Sequence, residues 1–314
     1  MGRALTFPGQ GSQAVGMGQA LALAFPAARE LFEEIDEAIK QPLSRLMWQG
    51  PESDLTLTEN TQPALMAVSL AIMRVLELDG KLQWGNHVNL VAGHSLGEYS
   101  ALAAAGALSA ADTARLLKTR GRAMQRAVPV GQGAMAALLG AEIGQAEEIS
   151  AEASKGGEIC VVANDNAPGQ VVISGHKAAI ERAAEISKTK GVKKAMMLPV
   201  SAPFHSPLMA QAAHEMKDAL GSANIRPPRV PVISNVSVRP ESDPETIKRL
   251  LVEQVTARVR WRETIESMRG HGITTVVEIG TGKVLTTMAK RIDKDLTLIS
   301  VETPQDIEAF LKTL

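Results

Sequence analysis

Five residues, Gly93-His94-Ser95-Leu96-Gly97, constrain this chain more than any others. The apolar stretch before them, Val88 to Ala92, reads as a buried strand. The small-residue run after them, Ser100 to Ala105, reads as a tightly packed helix. Strand, sharp turn and helix form the setting of a nucleophile elbow, G-x-S-x-G. Glycine on both sides of such a turn removes the Cβ atoms that would block it. Ser95 is then held on strained backbone at the positive end of a helix, with its hydroxyl exposed. Taken alone, the five residues also fit a plain glycine-rich strand–helix connection.

The stretches around the elbow read as an α/β chain. Leu5 to Phe7 is a short strand stopped by Pro8-Gly9, and Ala27 to Ile39 is a helix. Apolar residues recur at helical spacing from Gln62 to Leu78. Ser109 and Asp112 open a helix to about Ala127 in the manner of a capping box. From 128 to 197 the rhythm changes to β-α-β-β-α-β, the ferredoxin-like split βαβ, which can stand as an inserted subdomain. Strands then alternate with helices again, so a mostly parallel sheet covered on both faces is expected. The expected architecture is a large α/β-hydrolase-like domain, residues 1–127 and 198–314, with a ferredoxin-like small subdomain at 128–197.

Composition narrows the function classes. A chain of 314 residues can hold one large domain with an insertion, or two domains. A net charge of −1 gives no global signal for nucleic acid or an anionic membrane. No unbroken run of about 18 apolar residues argues for a membrane span. The first residues lack the apolar core of a signal peptide, so a cytoplasmic location is expected. Aromatics are only 3% of the chain, so the core must be built from Ala, Val, Leu, Ile and Met. Cys160, the single cysteine, lies in an apolar run and reads as a small core residue rather than a reactive thiol.

A serine nucleophile needs a base and an oxyanion hole. Six histidines are available. His94 adjoins Ser95, so its side chain should point away from the hydroxyl. His176 starts a helix, His214 lies mid-helix and His271 sits in a polar turn, positions that suit surface or capping roles. His205 differs, because it lies in the proline-bracketed loop Ser201-Ala202-Pro203-Phe204-His205-Ser206-Pro207. Stiff loops position catalytic groups. No aspartate falls where a triad would need it; Asp112 and Asp165 lie between Ser95 and His205 without matching the hydrolase order. Residue pattern alone therefore leaves a serine–histidine pair with no carboxylate partner. Arg120, by pattern alone, is one of several cations on a basic helix with Lys118, Arg122 and Arg126.

Five ordered motifs now carry a resemblance. They are Phe7-Pro8-Gly9-Gln10-Gly11-Ser12-Gln13, the elbow with Glu98, Thr119-Arg120-Gly121-Arg122-Ala123-Met124-Gln125, Pro203-Phe204-His205-Ser206, and Glu278-Ile279-Gly280-Thr281-Gly282-Lys283-Val284-Leu285. The set resembles the malonyl-CoA:acyl carrier protein transacylases, essentially end to end. Only Thr281, where proline is common in that family, departs from the pattern. The resemblance implies that Ser95 becomes a malonyl ester and that His205 is its base. It implies that Arg120 binds the malonyl carboxylate, for which a permanently charged planar fork is well matched. It gives the oxyanion hole to the backbone N–H groups of Gln10 and Leu96. It places Gln254 as the residue whose main-chain carbonyl accepts from the histidine and fixes its tautomer.

Phe204, directly before His205, would crowd out a 2-methyl branch on the acyl group. The implied substrates are malonyl-CoA and phosphopantetheinylated acyl carrier protein, with no further cofactor and no metal. The implied pathway is fatty acid synthesis. Carrier protein is typically acidic, and two basic clusters could meet it: Lys188, Lys190, Lys193 and Lys194, and the favoured Lys283, Lys290, Arg291 and Lys294. The alternatives are a serine α/β-hydrolase-type esterase or thioesterase, a polyketide-pathway malonyl transferase, and a non-catalytic module on the same fold.

Overall fold

Every residue of Leu90–Gly93 is buried, the signature of a central strand covered on both faces. In the computed structural model, which describes residues 2–80, 82–200 and 202–314, ten strands are present. They are β1 (Gly2–Phe7), β2 (Leu90–Gly93), β3 (Gly133–Leu139), β4 (Cys160–Ala167), β5 (Gln170–His176), β6 (Lys194–Met197), β7 (Val232–Ile233), β8 (Pro240–Glu241), β9 (Ile273–Ile279) and β10 (Thr297–Val301). Six form one sheet in the order β10-β9-β1-β2-β7-β8. Its pairings are parallel except for the short edge strand β8. The other four form a wholly antiparallel sheet in the order β4-β5-β3-β6, with helices Ile143–Ala153 and Lys177–Thr189 in its connections. The fold is mixed α/β, a parallel-rich sheet with a smaller antiparallel one.

Helix Thr58–Leu78 packs against the parallel sheet and helix Ala110–Arg126 packs against it. By length and composition it is apolar enough to cross a membrane, but 83% of its most apolar window is buried within this fold. Its apolarity therefore belongs to the core. Glycine sets the spacing between these two helices: a Cβ on Gly121 would lie 2.5 Å from the Glu59 Cα. That close approach draws Arg120, the preceding residue, inward.

The small sheet meets the rest of the fold along β4. Val259 donates to Ala163 O at 2.8 Å and accepts from Asp165 N–H at 3.0 Å, adding one bridge to the edge of the small sheet. The Arg262 guanidinium pairs with the buried Asp165 carboxylate at 2.9 Å beside it. Asp165 is thus tied to helix Trp261–Met268, and Asp112 is tied to Ser109 at the start of its own helix.

Candidate active site

Three adjacent parallel strands end at one place. β1 leads into Gln10, β2 into Ser95 and β7 into Asn235, so the site stands at the carboxyl edge of the sheet, the usual ligand position in such folds. The register pairs Phe7 with Gly93, which brings the elbow beside the Gln10 loop. Packing here leaves no room for side chains at the elbow's flanks. A Cβ on Gly93 would sit 1.8 Å from Gly97 O, and one on Gly97 would sit 2.2 Å from Phe7 O.

Ser95 has φ 53° and ψ −109°, a strained conformation for a residue with a side chain. Asn235 clamps it: Oδ1 accepts from Ser95 N–H at 2.7 Å, and Nδ2 donates to Gly93 O at 2.7 Å. The Ser95 hydroxyl lies 2.8 Å from His205 Nε2. His205 also has positive φ, 55°, in its proline-bracketed loop; Ser201 at the start of that loop lies outside the described residues. Its Nδ1 faces two main-chain carbonyls, Gln254 O at 2.9 Å and Ala257 O at 3.1 Å. Both are acceptors, so Nδ1 carries the hydrogen and Nε2 is free to accept the serine proton. Burial, then the nearby Arg120 charge, pushes His205 down to about 3, so the imidazole is neutral at ordinary pH.

Arg120 is not a solvated cation. It is 1% exposed, and its Cζ lies 5.7 Å from the centroid of the Tyr99 ring. Nη1 donates to Gln62 Oε1 at 2.8 Å; Nη2 donates to Gln254 Oε1 at 2.9 Å and to Ser95 Oγ at 3.1 Å. Nε has no acceptor within reach. A buried guanidinium whose hydrogen-bond partners are all neutral can receive an anion beside Ser95.

Gln10 is held by Thr58, whose hydroxyl donates to Gln10 Oε1 at 2.5 Å. Leu96 is the first residue of helix Leu96–Ala104, so its N–H has no partner within the helix. Gln10 and Leu96, with Arg120, His205, Phe204, Met124 and Val200, line a chamber of about 220 Å³. A second cavity of about 330 Å³ continues past Gln10, Phe204 and Val200 to Thr58. Phe204 stands at the junction of the two. Among the described residues, no group of three or more His, Cys, Asp or Glu is placed to hold a metal. Cys160 is buried away from the chamber, and burial pushes its thiol up to about 11.

Of the other histidines, His94 turns its Nε2 to Asn166 Oδ1 at 2.8 Å and packs on Trp261. His176 accepts from Ile159 N–H at 2.8 Å within the small sheet. Several residues of the site were invisible to motif reading. Gln62 reads only as the first residue of a helical stretch, and Asn166 belongs to no motif. Asn235 carries the one available signal, a polar residue two positions past the apolar run that ends at Ile233, at a strand's carboxyl end.

A strained serine, a neutral histidine and a walled-in guanidinium in one chamber are groups that serine-dependent acyl transfer can use. The chain belongs to the acyl transferase family: the model of the acyl transferase domain matches residues 5–303. It is 44% identical over 311 residues to the malonyl CoA-acyl carrier protein transacylase of Bacillus subtilis, covering 99% of this chain and 96% of that one. The crystal structure of an acyl-carrier-protein S-malonyltransferase from Bartonella henselae is 56% identical, with TM-score 0.97 over 100% of this chain and 99% of that one. A malonyl-transacylase solved in complex with its type II PKS acyl-carrier protein is 41% identical, with TM-score 0.96 and full coverage of both chains.

Proposed function

We propose that this enzyme moves a malonyl group from malonyl-CoA to the phosphopantetheine thiol of an acyl carrier protein through a malonyl ester on Ser95. The observation that carries the proposal is the position of Ser95 Oγ, 2.8 Å from His205 Nε2 and 3.1 Å from Arg120 Nη2. One atom thus touches both a base and a carboxylate-binding cation.

The steps follow from that geometry. The Arg120 guanidinium takes the malonyl carboxylate and sets the thioester carbonyl over Ser95. Ser95 Oγ attacks the carbonyl carbon as His205 Nε2 takes its proton. The carbonyl oxygen becomes an oxyanion facing the Gln10 and Leu96 N–H groups. The C–S bond breaks, and the coenzyme A thiolate leaves with the proton from His205. The carrier protein's thiol then gives its proton to His205, attacks the ester and releases Ser95 by the reverse path. The chemistry requires no metal or further cofactor, because the thioester itself supplies the leaving group.

In this reading the large unit, residues 1–127 and 198–314, is α/β-hydrolase-like, with the strand–serine–helix elbow as its support. The small unit, 128–197, is ferredoxin-like, supported by its β-α-β-β-α-β order and antiparallel pairing. The acceptor is the carrier protein of cytoplasmic fatty acid synthesis. It docks near Lys283, Lys290, Arg291 and Lys294, since the adjoining Gly282 abuts Ser12 of the Gln10 loop. Lys188 and Lys190 of the rival cluster are already paired with Glu185 and Glu152. An acyl-transfer assay comparing malonyl-, methylmalonyl- and acetyl-CoA tests the proposal. Malonyl should be strongly preferred; equal rates for all three, or hydrolysis without transfer, would refute it.

A further inference from the structure

Glu98 is a buried carboxyl group for which the transfer steps have no use. It is 3% exposed, and burial pushes it up to about 7, with the Asn235 N–H, the Gln254 amide and the Arg120 charge pulling the other way. A single oxygen of it, Oε2, accepts two hydrogen bonds: Gln254 Nε2 at 2.8 Å and Asn235 N–H at 3.0 Å. Each donor belongs to a residue that holds a different part of the site. Asn235 is the clamp on the strained Ser95 backbone. Gln254 accepts from His205 through its main chain and from Arg120 through its side chain.

The orientation of the Gln254 amide follows from its neighbours. Nε2 faces Glu98 Oε2 and also Ser95 O, the latter at 3.0 Å. Both are acceptors, so the NH₂ group belongs on that side and the amide oxygen must face Arg120. The opposite orientation would set NH₂ against the guanidinium and C=O against two oxygens, losing all three bonds. Without the Glu98 oxygen, Ser95 O alone would hold the amide in place. The Arg120 fork would lose the acceptor that aims its Nη2 nitrogen.

We propose that Glu98 is the positioning residue that sets selectivity for carboxylate-bearing acyl donors, by fixing the Gln254 amide so that its oxygen aims Arg120. The proposal rests on the reading of Arg120 as the group that binds the malonyl carboxylate. What matters is the place of the Glu98 oxygen and not its charge. Oε2 remains an acceptor whether the carboxyl is ionised or carries its proton on Oε1.

The test measures kcat/KM for malonyl-CoA and acetyl-CoA in wild type, Glu98→Gln, Glu98→Asp and Glu98→Met, with melting curves to show that each variant is folded. Glutamine keeps an oxygen in place, so the malonyl-to-acetyl ratio should stay within about threefold of wild type. Aspartate keeps the charge but withdraws the oxygen by one methylene. Its ratio should fall about tenfold or more, roughly the weight of one hydrogen bond to a charged group, while acetyl transfer falls less. Methionine, if folded, should behave like aspartate. If aspartate keeps the ratio, or glutamine loses it, the proposal is overturned. Equal proportional losses for both donors would make Glu98 a purely structural residue and overturn it as well. A wild-type enzyme without malonyl preference would instead defeat the reading of Arg120, a result visible before any Glu98 variant is made.

Discussion

Arg120→Ala should change which donor the enzyme uses, and the structure gives the size of the change. The guanidinium has five N–H donors. Two are spent on Gln62 and Gln254, a third meets Ser95 Oγ, and Nε has no acceptor. An arriving carboxylate can therefore be held by two of them. Hydrogen bonds to charged groups contribute about 1.5–3 kcal/mol each, so the pair is worth roughly 3–6 kcal/mol. At ~1.4 kcal/mol per factor of ten, kcat/KM for malonyl-CoA should fall by two to four orders of magnitude. Acetyl-CoA has no carboxylate to lose, so its slow transfer should fall far less. Two side effects need a control. The substitution leaves the Gln62 and Gln254 amide oxygens short of a donor, about 1–3 kcal/mol each if they stay dry. It also removes the charge that helps keep His205 neutral. A melting curve and an Arg120→Lys variant separate these from recognition. Lysine restores a charge but not the planar fork, and should recover little malonyl transfer. Steady-state kinetics with both donors is the assay. Parallel losses for malonyl and acetyl would show that Arg120 supports the fold without reading the carboxylate.

Other outcomes follow from the same geometry. His205 is held neutral down to about 3, so kcat/KM should show no acid limb near pH 6.5; a limb there would mean the imidazole is solvated. Stability has two opposed contributions. His205 stays neutral in the fold while the unfolded chain takes its proton, so its contribution is lost as pH falls from about 6.5 toward 3. Glu98, raised to about 7, contributes at low pH and loses that contribution as pH rises from 4.5 through 7. Asn235→Ala releases Ser95 N–H and Gly93 O and should lower Tm, with a cost of about 2–5 kcal/mol; an unchanged Tm would mean the elbow holds its own strain. Phe204→Ala should raise methylmalonyl transfer relative to malonyl, measured by competition, and no change would clear Phe204 of policing the acyl branch.

Much of the fold was legible in the sequence because its elements are long and periodic. The 58–78 helix shows helical spacing from Gln62 on, yet it begins at Thr58. Pro63 hides the first turns, since proline removes an N–H donor there, and packing around Gly121 overrides that cost. The stretch after Pro8-Gly9 reads as helical with 27–39 its clearest segment, but helices Gln19–Ala24, Leu43–Gln49 and Glu52–Leu55 are each too short to display a period and so have no separate bounds in the sequence. Val230 to Ser234 reads as a full strand but only Val232–Ile233 is paired, beside the two-residue β8. Ser95 announces itself through the glycines its turn demands. Arg120 does not. Its neighbours on the helix are cations, and only the close approach at Gly121, a tertiary fact, takes it out of water. The hydrogen-bond partners of Asn235, Gln62 and Glu98 lie in elements distant in sequence, so no local pattern encodes the bonds they make.

The account stands or falls on a covalent bond. Intact-protein mass spectrometry after brief mixing with malonyl-CoA, followed by peptide mapping, looks for it directly. The geometry at Ser95 Oγ predicts a gain of one malonyl group, confined to the peptide containing Ser95, lost on adding phosphopantetheinylated carrier protein, and absent in Ser95→Ala. A malonyl adduct on another residue, or transfer to the carrier protein undiminished in Ser95→Ala, would contradict it.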